Sequence, residues 1–346
     1  MGVVLILAAV LWGIGMAMKV PTRVRLVMVG VLWLAVVLLH LTLPDGHPLR
    51  GGTGGSVAPW LLLGGGAILV LIYRSGLRWL RARATPAQPK EMPQASFTDT
   101  ELNRYARHIV LREIGGKGQK RLKSAKVLVI GAGGLGSPAL LYLAAAGVGT
   151  IGVIDDDVVD NSNLQRQVIH PDAAIGMPKV FSAQKSMEAQ NPFVTVRPFN
   201  RRLTSELAQG LFAEFDLILD GTDNFDTRYL VNAAAVKQGV PLISGALSQW
   251  EGQISVFDPA NGAPCYQCIF PKAPASGLAP SCAEAGVIGP LPGVIGTMMA
   301  VEAIKLITEA GAPLRGAMLI YDALWGETRK ITLKTRSDCP ICGEKP

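Results

Sequence analysis

Cysteine is missing from the first 264 residues, acids are almost missing from the first 90, and aromatic residues make up only 6% of the 346-residue chain. The five cysteines all lie between Cys265 and Cys342. An odd set confined to one end, with two close C-x-x-C pairs, argues against a disulfide framework and fits a reduced compartment. Residues 1–90 hold nine Lys/Arg and a single acid, Asp45, a balance of +8, so a formal net charge of +7 leaves −1 for the remainder. The body of the chain therefore lacks the clustered cations that neutralise a phosphate backbone, which excludes a nucleic-acid partner. Charged residues are scarce at 17% against 49% hydrophobic, too apolar for disorder, and the length fits about two domains. No internal repeat is present.

What the first 90 residues do have is long apolar runs. Met1 to Met18, Leu26 to Leu43 and Val57 to Tyr73 carry no charge, and each approaches the length needed to cross about 30 Å of hydrocarbon. They predict three transmembrane helices (1–18, 26–43 and 57–73) in a membrane anchor over residues 1–83. A signal peptide is the alternative for the first run, but its basic n-region is missing, since the first cation is Lys19. Lys19, Arg23 and Arg25 follow the first run, and Arg74, Arg78, Arg81 and Arg83 follow the third. The positive-inside bias then puts the N-terminus outside and everything after Tyr73 in the cytoplasm of a cell with this inner-membrane anchor. Trp60 and Tyr73 flank the third run as interfacial rings. Gly64 to Gly66 read as a weak, flexible segment, with close helix packing as the alternative. Pro44 to Ser56 reads as a plain loop, and His40 has no visible partner. A Pro/Ala/Gln linker over residues 84–96 leads to a second domain, 97–346.

That domain opens with strand, glycine turn and helix: Lys126–Ile130, then Gly131-Ala-Gly133-Gly134-Leu-Gly136, then Pro138 to Ala145. Glycines here let the backbone approach a phosphate, and the helix N-terminus adds N–H donors and a positive dipole. A second run, Thr150–Ile154, ends in Asp155, Asp156 and Asp157, which places Asp155 at a strand tip where it can accept from ribose hydroxyls. Asp156 reads as a solvated loop acid, and Asp157 is left open as a metal-side carboxylate. Beyond them, Asn161-Ser-Asn163-Leu-Gln165-Arg166-Gln167 puts a cation where a hydride-transfer site has little use for one. Arg166 and Lys179 are candidates for the fixed positive charge that a triphosphate-cleaving site needs. Leu217–Leu219 forms a third strand, ending in Asp220-Gly-Thr-Asp223-Asn224 on the same sheet edge. Asp223 is a candidate for Mg²⁺ bound to phosphates, with N-capping of the helix that begins near Asn224 as the structural alternative.

Cys265-x-x-Cys268 and Cys339-x-x-Cys342 can place four thiolates on one tetrahedral ion, which points to structural zinc; a redox dithiol is the alternative. Cys282 is left over.

Taken together, Arg104-Tyr-Ala-Arg107-His108, the GAGGLG turn, Asp155, the SNLQRQ segment, Pro178-Lys179, the TDN triplet, Glu251 to Phe257, the C-x-x-C pairs and Cys282 to Val287 resemble the MoeB/ThiF/HesA-type adenylyltransferases. The likeness runs from Leu102 to Cys342 and is strongest to the MoeB-like members. It implies an α/β, Rossmann-like, mostly parallel sheet with flanking helices and a structural zinc site, preceded here by transmembrane helices. It also implies a homodimer that uses Mg-ATP to adenylate the C-terminal glycine of a small ubiquitin-like sulfur carrier, MoaD-like or alternatively ThiS-like, and releases pyrophosphate. By that resemblance Gly131, Gly133, Gly134 and Gly136 border the nucleotide, Asp155 takes the ribose, and Asn163, Arg166 and Lys179 take the phosphates. Asp223 holds Mg²⁺ with Asn224 beside it, and Arg107 reaches into the partner subunit's site. The helix from Pro292 to Glu309 underlies the carrier's groove, and the carrier tail runs beside Gln253 to Phe257. Cys282 falls where some members form a covalent link to the activated carrier. A separate sulfur donor, a cysteine desulfurase or a rhodanese, is expected. The rivals are a nicotinamide-dependent oxidoreductase, and a carrier receptor whose site has decayed.

Overall fold

The computed structural model describes residues 1–18, 20–84, 97–274 and 285–343. It divides into two compact units, Met1–Ser96 and Phe97–Pro346.

The first unit is helical: α1 (Gly2–Ala17), α2 (Thr22–Thr42), α3 (Pro48–Thr53) and α4 (Ala58–Ala84). Within α2 and α4, Val24–Thr42 and Ala58–Gly76 are long and apolar enough to cross a membrane, whereas α1, at 16 residues, falls short of that length. Three expectations need correcting. The connection read as a plain loop contains α3, started by the His47 side chain, which accepts from the Leu49 N–H. Trp60 is not an interfacial ring; it is buried against Val4, Val36 and Val37, and its indole N–H donates to the Thr53 carbonyl at 3.0 Å. Gly64 makes the close helix contact that had been the lesser reading, because a Cβ there would lie 2.2 Å from the Trp33 ring. His40, for which the sequence offered no partner, is buried 3.0 Å from the Thr53 hydroxyl.

The second unit begins with α5 (Asp99–Ile109) and α6 (Gly115–Ser124). Thr98 and Glu101 form a reciprocal cap at the start of α5, and Lys123 donates to Glu101 at 2.7 Å, which ties the two helices together. The rest alternates strand and helix: β1 (Lys126–Ile130), α7 (Gly136–Ala146), β2 (Thr150–Asp155), α8 (Lys179–Gln190), β3 (Thr195–Asn200), α9 (Ser205–Phe212), β4 (Leu217–Asp220), α10 (Phe225–Gln238) and β5 (Leu242–Leu247). Then follow β6 (Glu251–Phe257), the short α11 (Tyr266–Ile269), α12 (Pro290–Thr308), β7 (Ala317–Asp322) and β8 (Glu327–Thr332). The eight strands form one sheet in the order β3-β2-β1-β4-β5-β6-β7-β8, parallel through β5 and antiparallel after it.

Helices cover both faces of the parallel part, which is why its strands read as unbroken apolar runs rather than alternating ones. Val127, Val129, Leu217 and Leu219 face a layer that includes Leu140, Leu143, Ile295 and Met299, while Leu128, Ile130 and Ile218 face Phe212, Val231 and Phe257. Like α2, α12 has the length and composition of a membrane span, but Leu291, Ile295, Met299 and Ala303 lie in the core of the α/β unit. It starts two residues before the expected Pro292. The chain leaves β1 toward β2 and β3 on one side and reaches β4 and β5 on the other. The strand order therefore reverses between β1 and β4, and a crevice opens there at the carboxyl ends of the strands.

Candidate active site

The crevice is a cleft of about 760 Å³ lined by the glycine turn, the tips of β2 and β4, Arg166, Lys179 and the first residue of α11. The glycine turn has little freedom. Gly131 sits at φ +92°, and a Cβ on Gly136 would fall 1.9 Å from the Gly131 carbonyl oxygen, so the turn closes on its own backbone as α7 begins. Between them the Ala132 N–H donates to Asp155 at 2.8 Å, and the Asp157 N–H donates to the same carboxylate at 2.8 Å. Burial pushes the Asp155 carboxyl above its ordinary range; the Lys179 cation and these two N–H groups pull it back only in part.

Lys179 is buried at the start of α8 and donates to Asp157 at 2.7 Å. Asp157 had been left open as a metal ligand, but in this arrangement it is the counter-charge that holds Lys179 at the cleft. Arg166 lines the cleft too, while Asn163 stands behind it and accepts from its guanidinium at 2.8 Å. Asn163, expected on the phosphates, here aims the arginine instead. Asp223 and Asn224 both border the cleft and are exposed. The Asn224 side chain accepts from the Thr227 N–H at 2.9 Å and caps α10 at the edge of the cleft. Arg107 is exposed on α5 and is not among the residues lining this cleft. Cys282 lies outside the described residues.

Several cleft residues were not anticipated. Arg228 is buried in the first turn of α10 and donates to the carbonyls of Thr222 and Gly245 and to the Ser244 hydroxyl. Its guanidinium is 3.7 Å from the Asp220 carboxylate. A cation opposes the dipole at a helix N-terminus, so Arg228 was in principle legible as a residue held by something other than its helix. Arg201, Arg202 and Lys272 add further positive charge to the lining. Gln167 also lines the cleft, buried, with its side-chain oxygen unpartnered.

The four paired cysteines converge. Cys265 and Cys339 sulfurs are 3.6 Å apart, Cys268 and Cys342 3.4 Å, and Cys265 and Cys268 3.9 Å. A tetrahedral ion with Zn–S bonds of about 2.3 Å needs sulfurs roughly 3.8 Å apart, so the set fits zinc. Burial pushes the Cys265 thiol up to about 11. It raises Cys339 as well, but N–H groups of Cys342 and Ile341 and the neighbouring thiols outweigh it and bring Cys339 to about 7. Tyr266 stands between two of these cysteines and forms part of the cleft wall.

A glycine turn, a strand-tip carboxylate and buried cations on one sheet edge describe a site for a nucleotide that carries phosphates. The ThiF family model matches residues 105–341, well over half of the chain. The chain belongs to the ThiF family. Among its curated relatives, the sulfur carrier protein adenylyltransferase of Thermus thermophilus is 50% identical over 254 residues, 72% of this chain and 94% of that protein. The probable adenylyltransferase/sulfurtransferase MoeZ of Mycobacterium tuberculosis is 51% identical over 260 residues, 74% of this chain and 66% of its own length. Among solved structures, E. coli MccB with ATP matches at a TM-score of 0.60 with 23% identity, covering 71% of this chain and 75% of that one, which speaks to the fold. This ThiF-family chain is accordingly an adenylyltransferase, and the oxidoreductase reading fails.

Proposed function

We propose that this enzyme uses Mg-ATP to adenylate the C-terminal glycine carboxylate of a small ubiquitin-like sulfur carrier, MoaD-like in the first instance and ThiS-like as the alternative. The carrying observation is the pairing, on one sheet edge, of the Asp155-supported glycine turn with the cations Lys179 and Arg166. The glycine turn and the start of α7 take the phosphates, Asp155 accepts from the ribose, and Asp223 would hold Mg²⁺ with phosphate oxygens and water completing its shell.

The carrier carboxylate attacks the α-phosphorus. A bond forms from its oxygen to phosphorus as the bond to the bridging oxygen of pyrophosphate breaks, and that oxygen keeps the electron pair. Two anions must meet for this, so the protein contributes position and positive charge. Lys179, oriented by Asp157, and Arg166, oriented by Asn163, stand where charge develops on the leaving pyrophosphate. Zinc on Cys265, Cys268, Cys339 and Cys342 would be structural, since four thiolates leave no open position.

The remaining features complete the proposal. The enzyme works as a homodimer in which Arg107, exposed on α5, enters the partner's cleft. Its N-terminal unit anchors it in the inner membrane through α2 and α4, with the catalytic unit in the cytoplasm and a separate desulfurase or rhodanese supplying sulfur. Cys282 is the candidate for a covalent carrier link.

The test is carrier-dependent ATP–pyrophosphate exchange by the detergent-solubilised full chain, with a MoaD-like and a ThiS-like carrier in parallel. Exchange with either supports the acyl-adenylate and names the carrier class by preference. Absence of exchange with both, from folded and zinc-loaded protein, overturns this choice of substrate.

A further inference from the structure

His170 ends the segment that carries Asn163 and Arg166, and it is only 5% exposed. Both ring nitrogens are engaged: Nε2 lies 2.9 Å from the Ala132 carbonyl oxygen and Nδ1 3.0 Å from the Ser182 hydroxyl. A carbonyl can only accept, so Nε2 carries the proton. Burial lowers the pKa of the ring, and Lys179 lowers it further against the pull of the Ala132 carbonyl, so the imidazole is neutral and Nδ1 accepts from Ser182.

The two partners belong to the two halves of the nucleotide site. Ala132 is the residue between Gly131 and Gly133, and its own N–H is already held by Asp155 at 2.8 Å. Ser182 is on α8 three residues after Lys179, on the same side of the helix. One neutral ring thus joins the peptide at the centre of the glycine turn to the helix that presents the buried lysine.

We propose that His170 is a positioning residue for adenylation, fixing the glycine turn and Lys179 at one separation through Ala132 and Ser182. This rests on the reading that Lys179 faces the ATP phosphates. His170 itself does not line the cleft, so it acts through those two neighbours and touches no substrate.

The experiment measures ATP affinity by equilibrium dialysis on the full chain, with thermal melting and zinc content followed in every variant. The variants are His170→Phe, His170→Gln, Ser182→Ala and Lys179→Ala, with His170→Phe/Lys179→Ala to close a double-mutant cycle. His170→Phe is expected to weaken ATP binding at least tenfold, and His170→Gln, which can still donate to Ala132, to recover most of that loss. In the Lys179→Ala background the effect of His170→Phe is expected to shrink to less than threefold, because the lysine it positions is gone. A loss of equal size in both backgrounds overturns the proposal and leaves His170 a folding residue. So does an ATP affinity within twofold of the parent in His170→Phe. If His170→Phe fails to fold, Ser182→Ala carries the cycle in its place, since it cuts only the link to α8. If Lys179→Ala alone leaves ATP affinity unchanged, the phosphate reading of Lys179 fails, and the proposal falls with it.

Discussion

Replacing Asp155 by asparagine separates its two tasks. As a carboxylate it accepts from the N–H groups of Ala132 and Asp157, each at 2.8 Å, and keeps lone pairs for the ribose. Asparagine is nearly the same size, but Ala132 and Asp157 donate to different oxygens, so whichever way it turns its amide nitrogen faces one of the two N–H groups, and a neutral amide replaces the charged acceptor on the ribose side. Hydrogen bonds to an ionised group contribute about 1.5–3 kcal/mol and neutral ones about 1 kcal/mol. Loss of one such bond to the ribose predicts ATP binding weaker by roughly 10- to 150-fold at about 1.4 kcal/mol per tenfold. The orphaned N–H adds a cost in stability of about 1–3 kcal/mol. Calorimetric titration with ATP and a thermal melt of the same sample read the two terms independently. A lowered melting temperature with ATP affinity within twofold of the parent would refute the ribose role and leave Asp155 as a clamp on the glycine turn.

Asp223→Ala is expected to reduce pyrophosphate exchange at least a hundredfold with zinc content unchanged, as measured by metal analysis beside the assay; release of zinc would show that the acid is structural. Cys268→Ser should lose the metal and the cooperative melt together, because structural zinc contributes on the order of 10 kcal/mol to folding. A variant that still melts sharply with no metal bound would contradict this. The buried neutral His170 has a lowered pKa, so below about 6.5 the unfolded chain binds a proton that the folded one refuses. Its stabilising contribution is therefore present above that pH and is lost as pH falls toward the folded value. Melts from pH 8 to 5 should show a slope that His170→Gln flattens; parallel curves would count against the buried neutral ring.

The strands and glycine turn of the nucleotide half were legible because both rest on local patterns: apolar runs for a sheet covered on both faces, and glycines where backbone meets backbone. The convergence of the four paired cysteines was legible because two close pairs at the ends of a long interval need little more than their spacing. What escaped depends on partners distant in sequence. Nothing in the sequence around His170 reveals that Ala132 and Ser182 meet it. Asp157 looked available because its partner Lys179 is 22 residues away. Trp60 looked interfacial because hydropathy does not record that its N–H finds the Thr53 carbonyl. Hydropathy likewise cannot tell α12 from α2.

That resemblance between α12 and a membrane span bears on the order in which the chain is made. The elements α12 packs against most, namely α6, α7, β5 and β6, all precede it and are already synthesised when it emerges. A 19-residue apolar helix made before its partners would stay exposed while they were translated, at roughly 5–20 residues per second. Placed last among them, α12 meets a waiting surface. A circular permutation that places α12, with β7 and β8, ahead of β1 would keep the packing of the folded state and lengthen the interval in which a third membrane-like segment stands uncovered.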